Sequence, residues 1–162
     1  MFAKRISWRH AARWGLPVLL LMSLATAASA QRAHLGFRLG ANFDSNDVLL
    51  GAHVLVPLTD RLELYPSFDF YFPDDGTLLG FNGDLKYRFP AGSSLWIYAG
   101  GGLNVLYFSF EGESDTNVGA NLIGGFETRG NWRVHPFVEG RALIHDNSSF
   151  QLVGGINITL GH

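Results

Sequence analysis

HDNSS, at 145–149, holds the residue types of a hydrolase: His145, Asp146, Ser148 and Ser149 stand together, with Glu139 further along the same segment. A serine hydroxyl, an imidazole and a carboxylate within mutual hydrogen-bond reach, beside an oxyanion pocket, would make an acyl-transfer centre. Asp, Asn and Ser are also the ordinary residues of a tight turn, since their short polar side chains bond to nearby backbone. The turn is the favoured reading, and no catalytic residue is assigned. His53 and His135 are isolated and lack the spacing of metal ligands, so both are expected to serve hydrogen bonds in the interior. GGGLN at 100–104 has no following helix to cradle a phosphate, and its glycines read as strand packing.

Acids form a second group. Asp44, Asp47, Asp74, Asp75, Glu111, Glu113 and Asp115 crowd turn segments that contain no Lys or Arg. Such turns could hold divalent cations that bridge to anionic glycolipid. A hard cation needs on the order of six oxygens, which short turns seldom supply, so solvated acidic tips are favoured. No metal and no cofactor is expected.

The third group is the most ordered. Arg38, Glu63, Asp69, Asp84, Lys86, Arg88, Glu127, Arg133, Glu139 and Arg141 all fall on one parity of segments that alternate polar and apolar. Opposite charges on one face can pair, and the pattern predicts a network of ion pairs.

The segments that must position these groups are strands. In RLELYPSFDFYF, 61–72, Leu62, Leu64, Pro66, Phe68, Phe70 and Phe72 share one parity, while Glu63, Tyr65, Ser67, Asp69 and Tyr71 share the other. A period of two puts them on opposite faces of a strand. Turn clusters DSND, LTDR, PDDG, PAGSS, EGESD, TRGN and HDNSS cut the chain into eight such segments, an antiparallel meander with no second domain. Trp132 and Arg133 are assigned to the seventh strand. Pro66 and Pro136 fall inside strands, where each lacks a ladder donor, so a bulge or a missing hydrogen bond is expected at each.

A soluble barrel would turn the oily parity inward; a transmembrane barrel does the reverse. The polar parity carries Gly36, Gly40, Gly51, Gly80, Gly100, Gly102, Gly119, Gly125 and Gly155 beside Tyr65, Tyr71, Trp96, Tyr98 and Phe137. On a water-facing strand glycine loses β propensity for no gain, whereas in a narrow lumen it makes room for long neighbours. Aromatic residues on the oily parity gather toward segment ends: Phe43, Phe72, Phe89, Tyr107, Phe126, Trp132 and Phe150. Two interfacial girdles produce that distribution. The expected fold is all-β: a closed antiparallel eight-stranded up-and-down transmembrane β-barrel.

The chain's start agrees. MFAKRISWRHAARW carries Lys4, Arg5, Arg9 and Arg13 without an acid, then an apolar run, then Ala28-Ser29-Ala30 before Gln31. That is the layout of a secretory signal peptide, so 1–30 are expected to be cleaved and 31–162 to form the barrel. All 14 acids lie after residue 30, but only 12 − 4 = 8 of the Lys and Arg do, giving 8 − 14 = −6 with His neutral. This charge argues against a nucleic-acid partner. The absence of cysteine excludes disulfides and thiolate metal sites.

Over nearly all of 31–162 the chain resembles the small eight-stranded bacterial outer-membrane β-barrels of the OmpA/OmpX-like kind. The likeness is carried by RLELYPSFDFYF, LWIYAGGGLNVLYF and HPFVEGRALIHDNSSFQLVGGINITLGH. One departure is the ending, Leu160-Gly161-His162, where the family usually presents an aromatic residue to the assembly machinery. The resemblance implies a bacterial outer-membrane protein, monomeric, in contact with outer-membrane lipid, lipopolysaccharide and, during insertion, that machinery. It implies a non-enzymatic envelope role with a plugged polar lumen. A narrow porin-like pore is the alternative, and a lipid-modifying enzyme comes third.

Overall fold

The computed structural model describes residues 33–73, 76–110, 113–145 and 148–160. They contain eight strands: β1(His34–Asn42), β2(Val48–Pro57), β3(Leu62–Phe72), β4(Thr77–Pro90), β5(Leu95–Phe110), β6(Glu113–Thr128), β7(Val134–Ile144) and β8(Ser149–Thr159). Each pairs antiparallel with the next, and β8 returns to β1 from His34↔Thr159 to Asn42↔Gln151, which closes the barrel. Closure leaves no open sheet edge between first and last strand, the condition for standing in hydrocarbon.

The alternation decides which way the faces look. Leu39, Leu103 and Leu122 are 59 %, 66 % and 58 % exposed on the outer wall, while Arg38, Asp69, Asp84, Glu139 and Arg141 are at most 2 % exposed inside. A barrel built for water would invert that order. This is a transmembrane barrel. Phe43 stacks on Phe150 at one end, the end where β3 finishes at Phe72, and Tyr87 packs on Phe89 at the other, where Phe126 lies. The end where β1 starts and β8 finishes, with the β2–β3, β4–β5 and β6–β7 turns, is here called the terminal end; the opposite one is the far end.

Turn chemistry sets the strand limits. Gly92 takes a left-handed φ of 81° in the β4–β5 turn, and Asn46 takes 59° between β1 and β2, a conformation that Asn tolerates. β6 begins earlier than the EGESD cluster suggested. Glu113 and Asp115 are strand residues of β6, because Phe108↔Asp115 and Phe110↔Glu113 carry the ladder outward. Trp132 and Arg133 stand instead in the β6–β7 turn, since β7 begins at Val134. At Pro66 the β2–β3 pairing lapses between His53↔Ser67 and Val56↔Leu64 and resumes in the same register, a gap rather than a bulge.

The outer wall generates a test that separates lipid from water. Leu103→Arg at the middle of β5 should cost about 2–4 kcal/mol in a bilayer, and Phe110→Arg, near the hairpin tip, about 0–1 kcal/mol. Reversible denaturant unfolding in lipid vesicles measures both. Equal small losses would mean that the Leu103 face meets water.

Candidate functional site

Among the described residues the lumen gathers most of the charged side chains, and its packing explains the glycines. Luminal glycines stand directly beside large luminal residues on the next strand: Gly36 beside His53, Gly100 beside Lys86, Gly102 beside Asp84, Gly125 beside Tyr98 and Gly155 beside Phe137. A Cβ on Gly125 would lie 2.7 Å from the Tyr98 Oη, and one on Gly155 2.8 Å from Phe137 Cε1. Each missing side chain is the space into which a neighbour leans to cross the tube.

The middle of the lumen is an ionic mesh. Arg38 lays its fork on Asp69, with Nε donating to Oδ1 at 2.8 Å and Nη2 to Oδ2 at 2.6 Å. Its other donors reach Tyr65 Oη at 3.0 Å and Ser67 Oγ at 2.8 Å. Arg141 joins Asp84 at 3.1 Å and Glu139 at 3.0 Å, and Glu139 also accepts from Tyr98 Oη at 3.0 Å. Three amides stitch the acids together: Asn82 donates to Asp69, Asn121 to both Asp84 and Asn82, and Asn104 to Asn82. Planar guanidinium groups suit such two-pronged contacts, where a lysine would supply only a point charge.

Toward the terminal end lies a second cluster. Lys86 Nζ is 2.6 Å from Glu127 and 3.7 Å from Glu63, and Arg88 is 3.1 Å from Glu63. Lys86 also sits 4.0 Å from the Tyr98 ring centroid, so the phenol that bonds Glu139 in one cluster faces a cation of the other. Four cations and five carboxylates thus share the tube's interior. His53 bonds Asn157 at 2.6 Å and meets Tyr65 and Phe137 edge-on.

Nine of the ten charges expected in this network are there. Arg133 is the correction: it lies exposed in the β6–β7 turn and lines the terminal mouth. Its parity continued that of β7, but the strand starts one residue later. The sequence reading also missed an apolar layer. Leu49, Tyr71, Phe137 and Val153 cluster inside, with Leu78 and Leu106 packed against them. Leu49, Val153 and Leu106 share the parity of the charged residues; the weak alternation of the second and fifth strands was the available signal.

The other candidates are dispersed. Asp44 takes the Phe150 backbone N–H at 2.7 Å and so ties the β1–β2 turn to β8. Glu113 and Asp115 are exposed on β6, and Asp47 is half-buried. No group of three or more His, Cys, Asp or Glu that could hold a metal occurs among the described residues. Asp74, Asp75, Glu111, Asp146 and His162 lie outside them. Ser148 Oγ donates to the His145 backbone carbonyl, and Ser149 Oγ accepts from Asn42. His135 Nδ1 meets the Thr128 carbonyl at 3.1 Å.

No protein-family model matches the chain, and no curated protein does. Solved structures do. The N-terminal β-barrel domain of Pseudomonas aeruginosa OprF gives a TM-score of 0.68 at 18 % identity, over 80 % of this chain and 98 % of that one. Neisserial surface protein A gives 0.58 at 14 % identity, over 80 % and 95 %. A de novo designed transmembrane β-barrel gives 0.62 at 14 %, also over 80 % and 95 %. Identities this low carry the fold alone.

The ionic mesh makes a stability prediction. Lys86→Met strands Glu127 as a buried carboxylate, while Glu63 keeps Arg88, and should cost about 3–5 kcal/mol. Adding Glu127→Gln should recover part of that loss. Denaturant unfolding of the two singles and the double measures the coupling, and additive losses would mean that the pair does not interact.

Proposed function

We propose that the chain is an integral protein of the bacterial outer membrane whose lumen is closed by its own side chains, and that its role is structural, in the integrity of the envelope. The observation that carries this reading is the lumen itself, where two ionic clusters and an apolar layer occupy a tube that eight strands make only about one layer of side chains wide. A leader of export type and a barrel that must stand in lipid support the location. The barrel is proposed to act as a monomer, in contact with outer-membrane lipid and lipopolysaccharide, after insertion by the assembly machinery.

One observation favours a narrow pore as second reading. Gln151 Oε1, Asn121 Oδ1 and Arg141 Nη1 are buried without a hydrogen-bond partner among the described residues. Such groups have capacity left for water, and a file of water is the start of a leak.

Planar-bilayer recording tests the two. The native barrel should show no resolved single-channel steps. Lys86→Ala with Tyr98→Ala, which removes a cation and the phenol bridging both clusters, should produce steps or sharply raised noise. Steady unitary conductance in the unmodified protein would overturn the plugged reading in favour of the pore.

A further inference from the structure

The terminal mouth has two cavities with a common wall. One, of about 440 Å³, opens into the lumen and is lined by Arg88, Trp96, Arg129 and Arg133 among others; the second, of about 490 Å³, lies to its side against Ser94, Trp132, Val134 and Pro136. Thr128, Arg129, Gly130, Trp132 and His135 belong to both. Val134 and Pro136 are exposed residues of the outer wall, so the second cavity faces the surroundings of the barrel while the first faces its inside.

The wall is parted here for a reason that can be traced to one residue. At the other two terminal-end turns the ladder zips to the turn: Leu58 N–H donates to the Leu62 carbonyl and Ala91 N–H to the Leu95 carbonyl. The β6–β7 ladder stops at Glu127↔Phe137, although β6 stays paired with β5 to Thr128 and β7 with β8 from Val134. Arg133 turns its carbonyl to Thr159 of β8. By alternation along a strand, Val134 and Pro136 turn their backbone groups toward β6. Pro136 has no N–H to give there. The His135 ring, bonded to the Thr128 carbonyl, occupies the seam instead of a ladder bond.

Charge sets the kind of occupant. Glu127 is taken by Lys86, and Arg88 by Glu63. Arg129 has a tryptophan face and a carbonyl as its partners: its guanidinium carbon is 4.5 Å from the Trp96 centroid, and Nη1 donates to Gly92 O at 3.4 Å. Neither neutralises it, and a positive group stays at the mouth of the seam.

We infer that this parted seam is a binding site for one phospholipid with a negatively charged headgroup, drawn from the leaflet at the terminal end. The headgroup phosphate meets Arg129 in the mouth, and one acyl chain lies in the side cavity along Trp132, Val134 and Pro136. A free anion would use only the first cavity and leave the apolar one open to hydrocarbon. The inference needs the barrel to stand in a bilayer, but not the lumen to be closed, so conductance tests one reading and lipid contact the other.

The chain reports on this site through its own fluorescence. Its tryptophans are Trp8, Trp14, Trp96 and Trp132, so Trp8→Phe and Trp14→Phe in the full chain leave two indoles, both on these cavities. This protein is reconstituted in phosphatidylcholine vesicles doped with brominated-chain phosphatidylglycerol or, at equal mole fraction, brominated-chain phosphatidylcholine. The anionic lipid should quench about fivefold more strongly, the preference one arginine near a surface confers, and Arg129→Gln should remove that preference. Ser94→Phe or Val134→Phe fills the side cavity and keeps every arginine; either should remove it too, with heat-modifiable gel migration confirming a folded barrel. Equal quenching by both lipids in the parent protein overturns the site. So does a preference that survives Arg129→Gln, or one that survives both cavity-filling changes, which would mark a diffuse lipid cloud. A preference lost on adding inorganic phosphate yet unmoved by Ser94→Phe and Val134→Phe overturns it as well, because the mouth would then be an ion pocket that no acyl chain shares.

Discussion

A backbone surrounded by hydrocarbon has no water to satisfy its N–H and C=O groups, so a sheet there must close on itself. The β1–β8 ladder does this, and the rest follows from its geometry. Eight strands enclose a tube about one layer of side chains across. Every second residue must fit that tube, and nothing inside can retreat to solvent. Bulk on one strand then requires absence on its neighbour, as Tyr98 and Gly125 or Phe137 and Gly155 show. Charge inside likewise requires opposite charge, because an ion in that interior loses several kcal/mol of hydration that only a partner offsets. Arg38 on Asp69 and Lys86 on Glu127 are consequences of closure as much as of their own chemistry.

The strands, their order and the identity of the buried face were legible because a period of two leaves little freedom: a one-residue slip would put Arg38 and Glu139 into lipid. Which carboxylate each cation takes was not legible. Parity says that two residues share the lumen but not their height in it, and height depends on how far each strand slides past the next. Arg38 reaches Asp69 two strands away. Arg141 bridges to Asp84, three strands away along the wall. Arg133 shows the same limit at a strand end, where parity continues through a residue that the ladder does not hold.

The apolar layer escaped because it occupies the parity that charge had claimed. Leu49 and Val153 look like irregularities while the lumen is pictured as wholly polar. They stop being irregular once the tube is divided along its length. The ionic clusters lie toward the middle and terminal end, whereas Leu49, Tyr71 and Val153, with Leu78 and Leu106, lie toward the far end.

On the plugged reading proposed above, two barriers of different kinds stand in series. An ion entering from the terminal end meets fixed charges of both signs, already paired, and has no partner to gain. Beyond them it meets a constriction of aliphatic and aromatic groups, where the cost is dehydration rather than repulsion. Of the unpartnered amide oxygens, Asn121 Oδ1 lies in the first region and gives water a foothold there, while Gln151 Oε1 lies beside Tyr71 at the edge of the second. Past Gln151 the second region offers water the aliphatic and aromatic groups of Leu49, Phe137 and Val153. A lumen of charges alone could rearrange into a wet path when one pair opens. On that reading the apolar layer would make such an opening insufficient, because a side-chain flip in the ionic mesh leaves Leu49, Phe137 and Val153 in place.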